Sequence, residues 1–480
     1  MTMAVKLLRA SEELLWELLP PQELSRTVIT NEKMSEEGFI FNSNSLSKND
    51  KHPNPLAIAI DAEHVSHQNV MCFFWILATI QQNMGGAGQM YQMNSTHDRW
   101  LKTWALCLRH RATLDQHMLS PLNQESKTVR WQDARFLLPL VLLALVAWTM
   151  ASSPEYAGSY SMMFLFGVVL FDAFWRSPWG SHPAQADSAY FRGVLRTYAV
   201  LHLALLLLAL VLACQGTWIV ALSLALCMGT LSGTVGHAAA HALGHSPLKF
   251  DKYLAWTLTS SMGYPHFMVE HYRGHHPRAA TWEDPTSAHE RESFWRFLPR
   301  SLKGEFASSF ELESHRLAQR HLQWLKSPLV WAFIGIALAL AALLVLFAWT
   351  VLLFCLVHCL IAVFFLAAFN YIEHYGLYRD SLHGFYLPFV KTHAWNANAP
   401  ISGALLFDRP VHSDHHISPW KPFGMSAPMD APSLPTGYIG SVLLAMLPFV
   451  WFALMDPRLV ELQRLADAFE SGCSSMKSPL

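Results

Sequence analysis

The chain has 480 residues, of which 52% are hydrophobic and 14% charged, and its formal net charge at pH 7 is −1. That balance excludes the basic footprint of a nucleic-acid-binding protein, so no nucleic-acid partner is expected. The apolar residues fall in long runs and many of the 25 histidines gather in a few short clusters beside those runs, a pattern of membrane segments with a polar, metal-ligating cap.

Residues 1–130 are mixed in character and are expected to form a poorly defined, partly disordered N-terminal extension. SEELLWELL at 11–19 suits an amphipathic helix capped by Ser11, and Asn31 to Asn54 is polar and turn-rich like a linker. Val70 to Ile80 is apolar but falls short of the roughly 20 residues that cross a bilayer, so it reads as interfacial or buried. Gly85, Gly86 and Gly88 lack the strand and helix of a phosphate loop and read as a flexible turn. The seven cysteines form no CxxC pair, and Cys355 and Cys359 read as core residues; a reducing compartment fits.

From residue 136 the hydropathy becomes decisive. Phe136 to about Met150 and about Ser159 to Trp175 form one helical hairpin, Val200 to Ala213 and Trp218 to about Val235 a second, divided by CQGT. Pro328 to about Asn370 is long enough to cross twice, with a break near Ala348. The expected fold is therefore all-α, a polytopic membrane protein of about six transmembrane helices, with a transmembrane domain at 131–456 and a tail at 457–480.

Lysine and arginine give an independent test of this topology. Lys127, Arg130 and Arg135 precede the first span, Arg176, Arg192 and Arg196 follow the second, the stretch from Lys249 to Lys326 is rich in both residues, and Arg379, Lys391, Arg409 and Lys421 follow the sixth. The three opposite turns carry none, which places both termini and every histidine cluster in the cytoplasm. Tyr438 to Leu454, interrupted by Pro448, reads as an interfacial or re-entrant helix, with a seventh span as the alternative.

The densest chemistry lies in YPHFMVEHYRGHHPRAATWEDP, Tyr264 to Pro285. In an α-helix His271 and His275 share one face at i,i+4 and His276 lies beside them, so neutral imidazoles can converge on a metal. His241 and His245 repeat that spacing where the fourth span leaves the membrane; His237, a turn deeper, reads as a hydrogen-bonded neighbour outside the ligand set. His374 stands alone in NYIEHYGL, and His412, His415 and His416 share a face at i, i+3 and i+4. Glu270, Glu283, Asp284, Glu373 and Asp414, with Asn370 beside them, are candidates to orient an imidazole through its outer nitrogen, the alternative for the acids being pairing with Arg273, Arg278 or Arg379. His67, His97, His202, His315 and His358 are isolated and read as surface or core residues. Nine imidazoles can supply two metals with four or five nitrogens each and leave positions open for oxygen, which favours two irons over a closed structural zinc, although spacing alone does not separate iron from zinc or copper.

EHYRGHH with TWEDP, NYIEHYGL, THAWNAN, HSDHH, APSLPTGY and MDPR together resemble the successive signatures of the integral-membrane alkane hydroxylases, the alkane 1-monooxygenases, within the membrane fatty acid desaturase and hydroxylase superfamily. The resemblance covers about residues 131–460. It implies a cytoplasmic cap in which His241, His245, His271, His275, His276, His374, His412, His415 and His416 hold two non-haem irons. It further implies that dioxygen is activated there, that one oxygen atom is delivered to the terminal carbon of a medium- or long-chain alkane, and that the other leaves as water. The implied electron donor is rubredoxin, reduced by a flavoprotein that uses NAD(P)H; with no CxxC pair and no dinucleotide fingerprint in the chain, that donor is external. The chain departs from the family pattern at Ala242, where a glutamate is usual, at Pro410 and Val411, where a Gln-Arg pair is usual, and in the polar pattern between spans two and three, of which Asp172 survives. Alternatives are a fatty-acyl hydroxylase or desaturase and, in another class, a histidine-rich metal transporter or sensor. A transporter calls for ionisable groups lining a path across the bilayer, and the spans hold few beyond Asp172, His202, His237 and His358. Phe164, Phe166, Phe171 and Trp175 are candidates to limit an alkyl tunnel.

Overall fold

In the apolar runs the backbone can satisfy its own hydrogen bonds only as helix, and the computed structural model shows these runs as a helical bundle. It describes residues 131–174, 188–346, 348–382, 385–426 and 430–475, all within one compact unit, Gln116–Leu480. The expectations for the N-terminal extension, for 11–19, 31–54, 70–80 and the glycines at 85–88, and for Trp175, lie outside the described residues.

A 3-10 turn, Trp131–Leu137, leads into α1 (Leu138–Ser152), which ends where Ser153 turns extended ahead of Pro154. Helix α2 (Ala157–Phe174) returns antiparallel to it. Helix α3 (Ser188–Gln215) starts earlier than hydropathy places it, because its first turns carry Arg192 and Arg196 and are amphipathic rather than apolar. Helix α4 (Trp218–Leu231), capped by Thr217 Oγ1, passes through a π-turn at Ser232–Gly236 into α5 (His237–Gly244), so the span runs from Trp218 to Gly244, nine residues beyond the expected end at Val235. This span is central, with 78% of its most apolar window buried, against 6% for Pro328–Val345.

Next come α6 (Lys249–Ser261), a stretch from Phe267 to Arg278 that is π-helical over Glu270–His275, and α7 (Phe294–Gln319). Helices α8 (Pro328–Leu346) and α9 (Trp349–His374) complete the crossings, parted by extended Ala348 where the sequence places the break. Glycines let α4 and α9 approach closely: a Cβ on Gly233 would stand 2.5 Å from the Ala362 carbonyl oxygen. A two-residue hairpin, β1 (Ser381–Leu382) with β2 (Phe385–Tyr386), is the one strand pair among the described residues. Helices α10 (Pro400–Leu405) and α11 (His412–Ile417) carry the last box. Helices α12 (Tyr438–Ala445) and α13 (Pro448–Ser475) meet at a 118° bend, the broken geometry that Pro448 suggests. The expected boundary at 456/457 falls inside α13, which continues through Pro457.

Among the described residues six helices are long and apolar enough to span a bilayer, as expected, and the chain is a multi-pass membrane protein. Span four ends at Gly244, directly before His245, and span six at His374, which brings the histidines to one end of the bundle.

Candidate metal centre

All nine histidines singled out in the sequence converge, in two groups. His241, His245, His271, His276 and His415 form one; His275, His374, His412 and His416 form the other, and within each group the ligand nitrogens lie within 4.8 Å of one another. The allotment differs from the face argument. His271 and His275 part company because the box is π-helical: its wider turn sets His271 beside His276, five residues on, with Nε2 atoms 3.1 Å apart, and turns His275 to the other group. In α11 the i,i+4 pair His412 and His416 stays together, Nε2 to Nε2 at 3.0 Å, while His415 crosses to His276 at 3.1 Å. His237 belongs to neither group.

Glycine shapes the first box. Tyr272 lies over Gly244, where any Cβ would collide with its ring, and its hydroxyl donates to the His241 carbonyl at 3.0 Å.

The nitrogen geometry fits metal ions. In the triangle of His245, His271 and His276 the Nε2 atoms are 3.1 to 3.3 Å apart. A neutral imidazole has one N–H and one lone pair, so at most two of three mutual contacts can be hydrogen bonds. A shared cation resolves the conflict, since ligands about 2.1 Å from one metal stand roughly 3.0 to 3.4 Å apart in octahedral to tetrahedral arrangements. His241 Nε2 is buried without a hydrogen-bond partner, an orphan of the same kind. The imidazoles of His245, His271, His276, His412, His415 and His416 are held well below the usual histidine range, by burial first and by neighbouring histidines second. They are therefore neutral at pH 7, the state in which imidazole donates to a metal.

The acids divide among imidazole, cationic and solvent-facing surroundings. Asp284 is fully buried, and its Oδ2 accepts from His275 Nδ1 at 2.9 Å and from Ser287 Oγ at 2.7 Å. Burial pushes its carboxyl up, but His275 and these hydrogen bonds outweigh that and hold it below the usual carboxylate range. Glu283 is exposed instead of facing the imidazoles, since the turn that buries Asp284 directs its neighbour outwards. Glu270 pairs with Arg278 at 2.7 Å, and burial raises its carboxyl to about 7 against that pairing. Asp414 pairs with Lys421 at 2.8 Å. Glu373 meets His412 at Nε2, 3.4 Å away, rather than at the outer nitrogen, and Asn370 faces Arg409 at 3.5 Å. Three outer contacts had no sequence signal: Thr286 Oγ1 beside His275 Nδ1 at 2.5 Å, the His393 carbonyl accepting from His374 Nδ1 at 3.1 Å, and Arg409, buried between Glu373 and His237.

One cavity adjoins the histidines, and a second runs from the α1–α2 turn, at Thr149 and Ala157, to Leu406. The second, of about 250 Å³, is apolar and lies among α1, α2, α4, α10 and α12, with Phe164, Leu165, Leu231 and Ile439 in its wall; no histidine lines it. The first, of about 110 Å³, is lined by His241, His245 and His415. Leu406 stands in both walls. Of the tunnel candidates, Phe164 lines the apolar cavity, whereas Phe166 and Phe171 are exposed on α2.

The sequence profile of the fatty acid desaturase family matches residues 215–429, which contain every one of these histidines. The chain is 36% identical over 247 residues to alkane 1-monooxygenase 1 of Pseudomonas aeruginosa, covering 50% of this chain and 64% of that protein. It is 35% identical over 223 residues to the alkane 1-monooxygenase of Acinetobacter baylyi, covering 46% of this chain and 55% of that protein. The xylene/toluene monooxygenase hydroxylase component of Pseudomonas putida is 27% identical over 210 residues, 43% of this chain and 56% of that protein. In each comparison the chain spans less than two thirds of its relative's length. In the part that carries the histidines, the chain matches the fatty acid desaturase profile and is similar to the alkane 1-monooxygenases.

Proposed function

We propose that the chain is a membrane non-haem di-iron monooxygenase that hydroxylates the terminal carbon of medium- or long-chain alkanes, with dioxygen as oxidant. The observation that carries this reading is the convergence of nine histidines, six buried and three half-buried, into two groups at one end of a membrane bundle. The five-histidine group would hold one iron and the four-histidine group the other. Iron, when bound there, supplies the activation of dioxygen and the oxidising power to break an unactivated C–H bond.

The protein's own residues do the rest. Asp284 and the His393 carbonyl accept hydrogen bonds from Nδ1–H of His275 and His374, which leaves both Nε2 lone pairs facing inwards. Burial keeps water from the four-histidine group, whose members are all buried. An alkyl chain arriving from lipid gains little from entering another apolar space, so the 250 Å³ cavity selects by shape rather than by hydrophobic transfer. Leu406, shared by both cavity walls, is the side chain a terminal methyl group must pass to reach the histidines.

The reaction consumes two electrons and two protons for each alcohol and water formed. Rubredoxin with its NAD(P)H-dependent reductase is the donor we infer, meeting a cytoplasmic face in line with the lysine and arginine distribution. Match to the desaturase profile favours one second reading, oxidation of a fatty-acyl chain. Purified protein supplied with reductant, octane or hexadecane, and isotopically labelled dioxygen tests both. Labelled primary alcohol from the alkane supports the proposal; an alkene formed in an acyl chain, with the alkane untouched, overturns it in favour of the second reading.

A further inference from the structure

Arg409 is one of several basic residues after the sixth span, yet its side chain is 2% exposed. Its Nε and Nη2 donate to the two carboxylate oxygens of Glu373 at 2.6 and 3.0 Å, a two-pronged pairing that fixes the carboxylate in one orientation. Its Nη1 donates to His237 Nδ1 at 2.7 Å, and the guanidinium lies over the Phe369 ring at 5.2 Å. Glu373 Oε2 is in turn 3.4 Å from Nε2 of His412, the nitrogen that faces His374 and His416.

The backbone is shaped to deliver this side chain. Phe407 and Asp408 both adopt left-handed backbone, with φ of 52° and 56°, and such strain is retained where the surroundings enforce it. Asp408 is bound to Arg135 at 3.4 Å, and Tyr438 donates to the Arg409 carbonyl at 3.3 Å, so the turn is held from both sides. A buried ion pair is a poor source of net stability, which leaves orientation as its use. By donating to Nδ1 of His237, Arg409 also forces that ring's proton onto Nε2, which is buried without a partner. His237 stands four residues before His241, at the spacing of the ligand pair, and this bond turns it away from the metal set.

We propose that Arg409 is a positioning residue for the four-histidine group: it holds the Glu373 carboxylate against His412 and keeps His237 out of the five-histidine group. The inference rests on the metal-binding reading above.

The test uses the full chain, purified in detergent and loaded with isotopically enriched iron, as wild type, R409Q, R409K and the control R300Q. R300Q breaks a comparable two-pronged pair with Glu292, which lies outside both histidine groups. Iron per chain, chelator competition and the Mössbauer spectrum are read together with the thermal unfolding midpoint. The expected result is that R409Q loses or weakens one iron environment at least tenfold while keeping the other, a selectivity that general destabilisation does not produce. R409K falls the same way, because an ammonium cannot form the fork, and R300Q keeps both irons. Retention of both environments at wild-type affinity in R409Q, or loss of both together with the fold, overturns the proposal. If R409Q is not recovered from the membrane, R409K decides alone, and wild-type affinity there overturns it. A wild-type chain that takes up no iron removes the metal-binding reading itself.

Discussion

Replacing Asp284 with asparagine tests how far the metal groups depend on their outer hydrogen bonds. The carboxylate is fully buried and accepts from His275 Nδ1, Ser287 Oγ, and the Thr286 amide and hydroxyl at 2.7 to 3.1 Å. Asparagine keeps the shape but removes the charge and presents an N–H₂ on one side. That group must face either the Nδ1–H of His275 and the Ser287 hydroxyl, or the two donors of Thr286, so at least one donor meets another donor. A hydrogen bond to a charged acceptor contributes about 1.5–3 kcal/mol, and loss of such outer partners lowers metal affinity by roughly 10- to 100-fold. D284N should therefore release one metal more readily by that factor in a chelator competition, with the other metal nearly unaffected, since Asp284 touches His275 of the four-histidine group and no histidine of the five-histidine group by hydrogen bond. Equal affinity in D284N and wild type would refute the reasoning, because the His275 tautomer would then be set by something other than Asp284.

Four further outcomes follow from single features. Burial lifts Glu305 to about 8 from 4.5, so across that window the folded state holds a proton that the unfolded chain releases, at a cost of about 3 kcal/mol at pH 7. E305Q, which still accepts from Ser301, should raise the thermal midpoint at pH 7 but not at pH 4; equal midpoints at pH 7 contradict the buried-acid account. Ala at Gly233 should cost about 1–3 kcal/mol by forcing α4 from α9, whereas Ala at Gly335, where a Cβ meets nothing within 4 Å, should be silent in the same unfolding assay. Burial lowers His266 and His393 from 6.5 to about 4, so the unfolded chain takes protons that the fold refuses: stability is present above pH 6.5 and declines as pH falls towards 4, by about 3 kcal/mol for each, in chelator-treated protein followed by unfolding at stepped pH. Leu406→Val should widen the passage between the cavities and add subterminal alcohols to the product mixture by gas chromatography; an unchanged mixture means the chain reaches the histidines by another route.

Much of this architecture is legible in the sequence because hydropathy and positive charge are local signals. The break at Ala348 and the bend at Pro448 follow from single residues in otherwise apolar runs. The histidines were legible as a set because their clusters sit at span ends. Their allotment to two groups was not, since it turns on the π-helix at Glu270–His275, and π-turns have no spacing signature of their own. Glu283 and Asp284 are neighbours with the same charge, and only the turn decides which is buried. The contact of Arg409 with His237 joins residues 172 apart, beyond the reach of any local pattern.

Iron content tests the central claim most directly, measured on the detergent-purified full chain beside a variant in which His275 and His276 are both alanine. Because His276 belongs to the five-histidine group and His275 to the four-histidine group, this one variant strikes both. The account predicts two irons per chain in the wild type and loss of iron in the variant, with the protein still in the membrane fraction. Zinc in place of iron, or a folded wild-type chain that holds no metal, would contradict it.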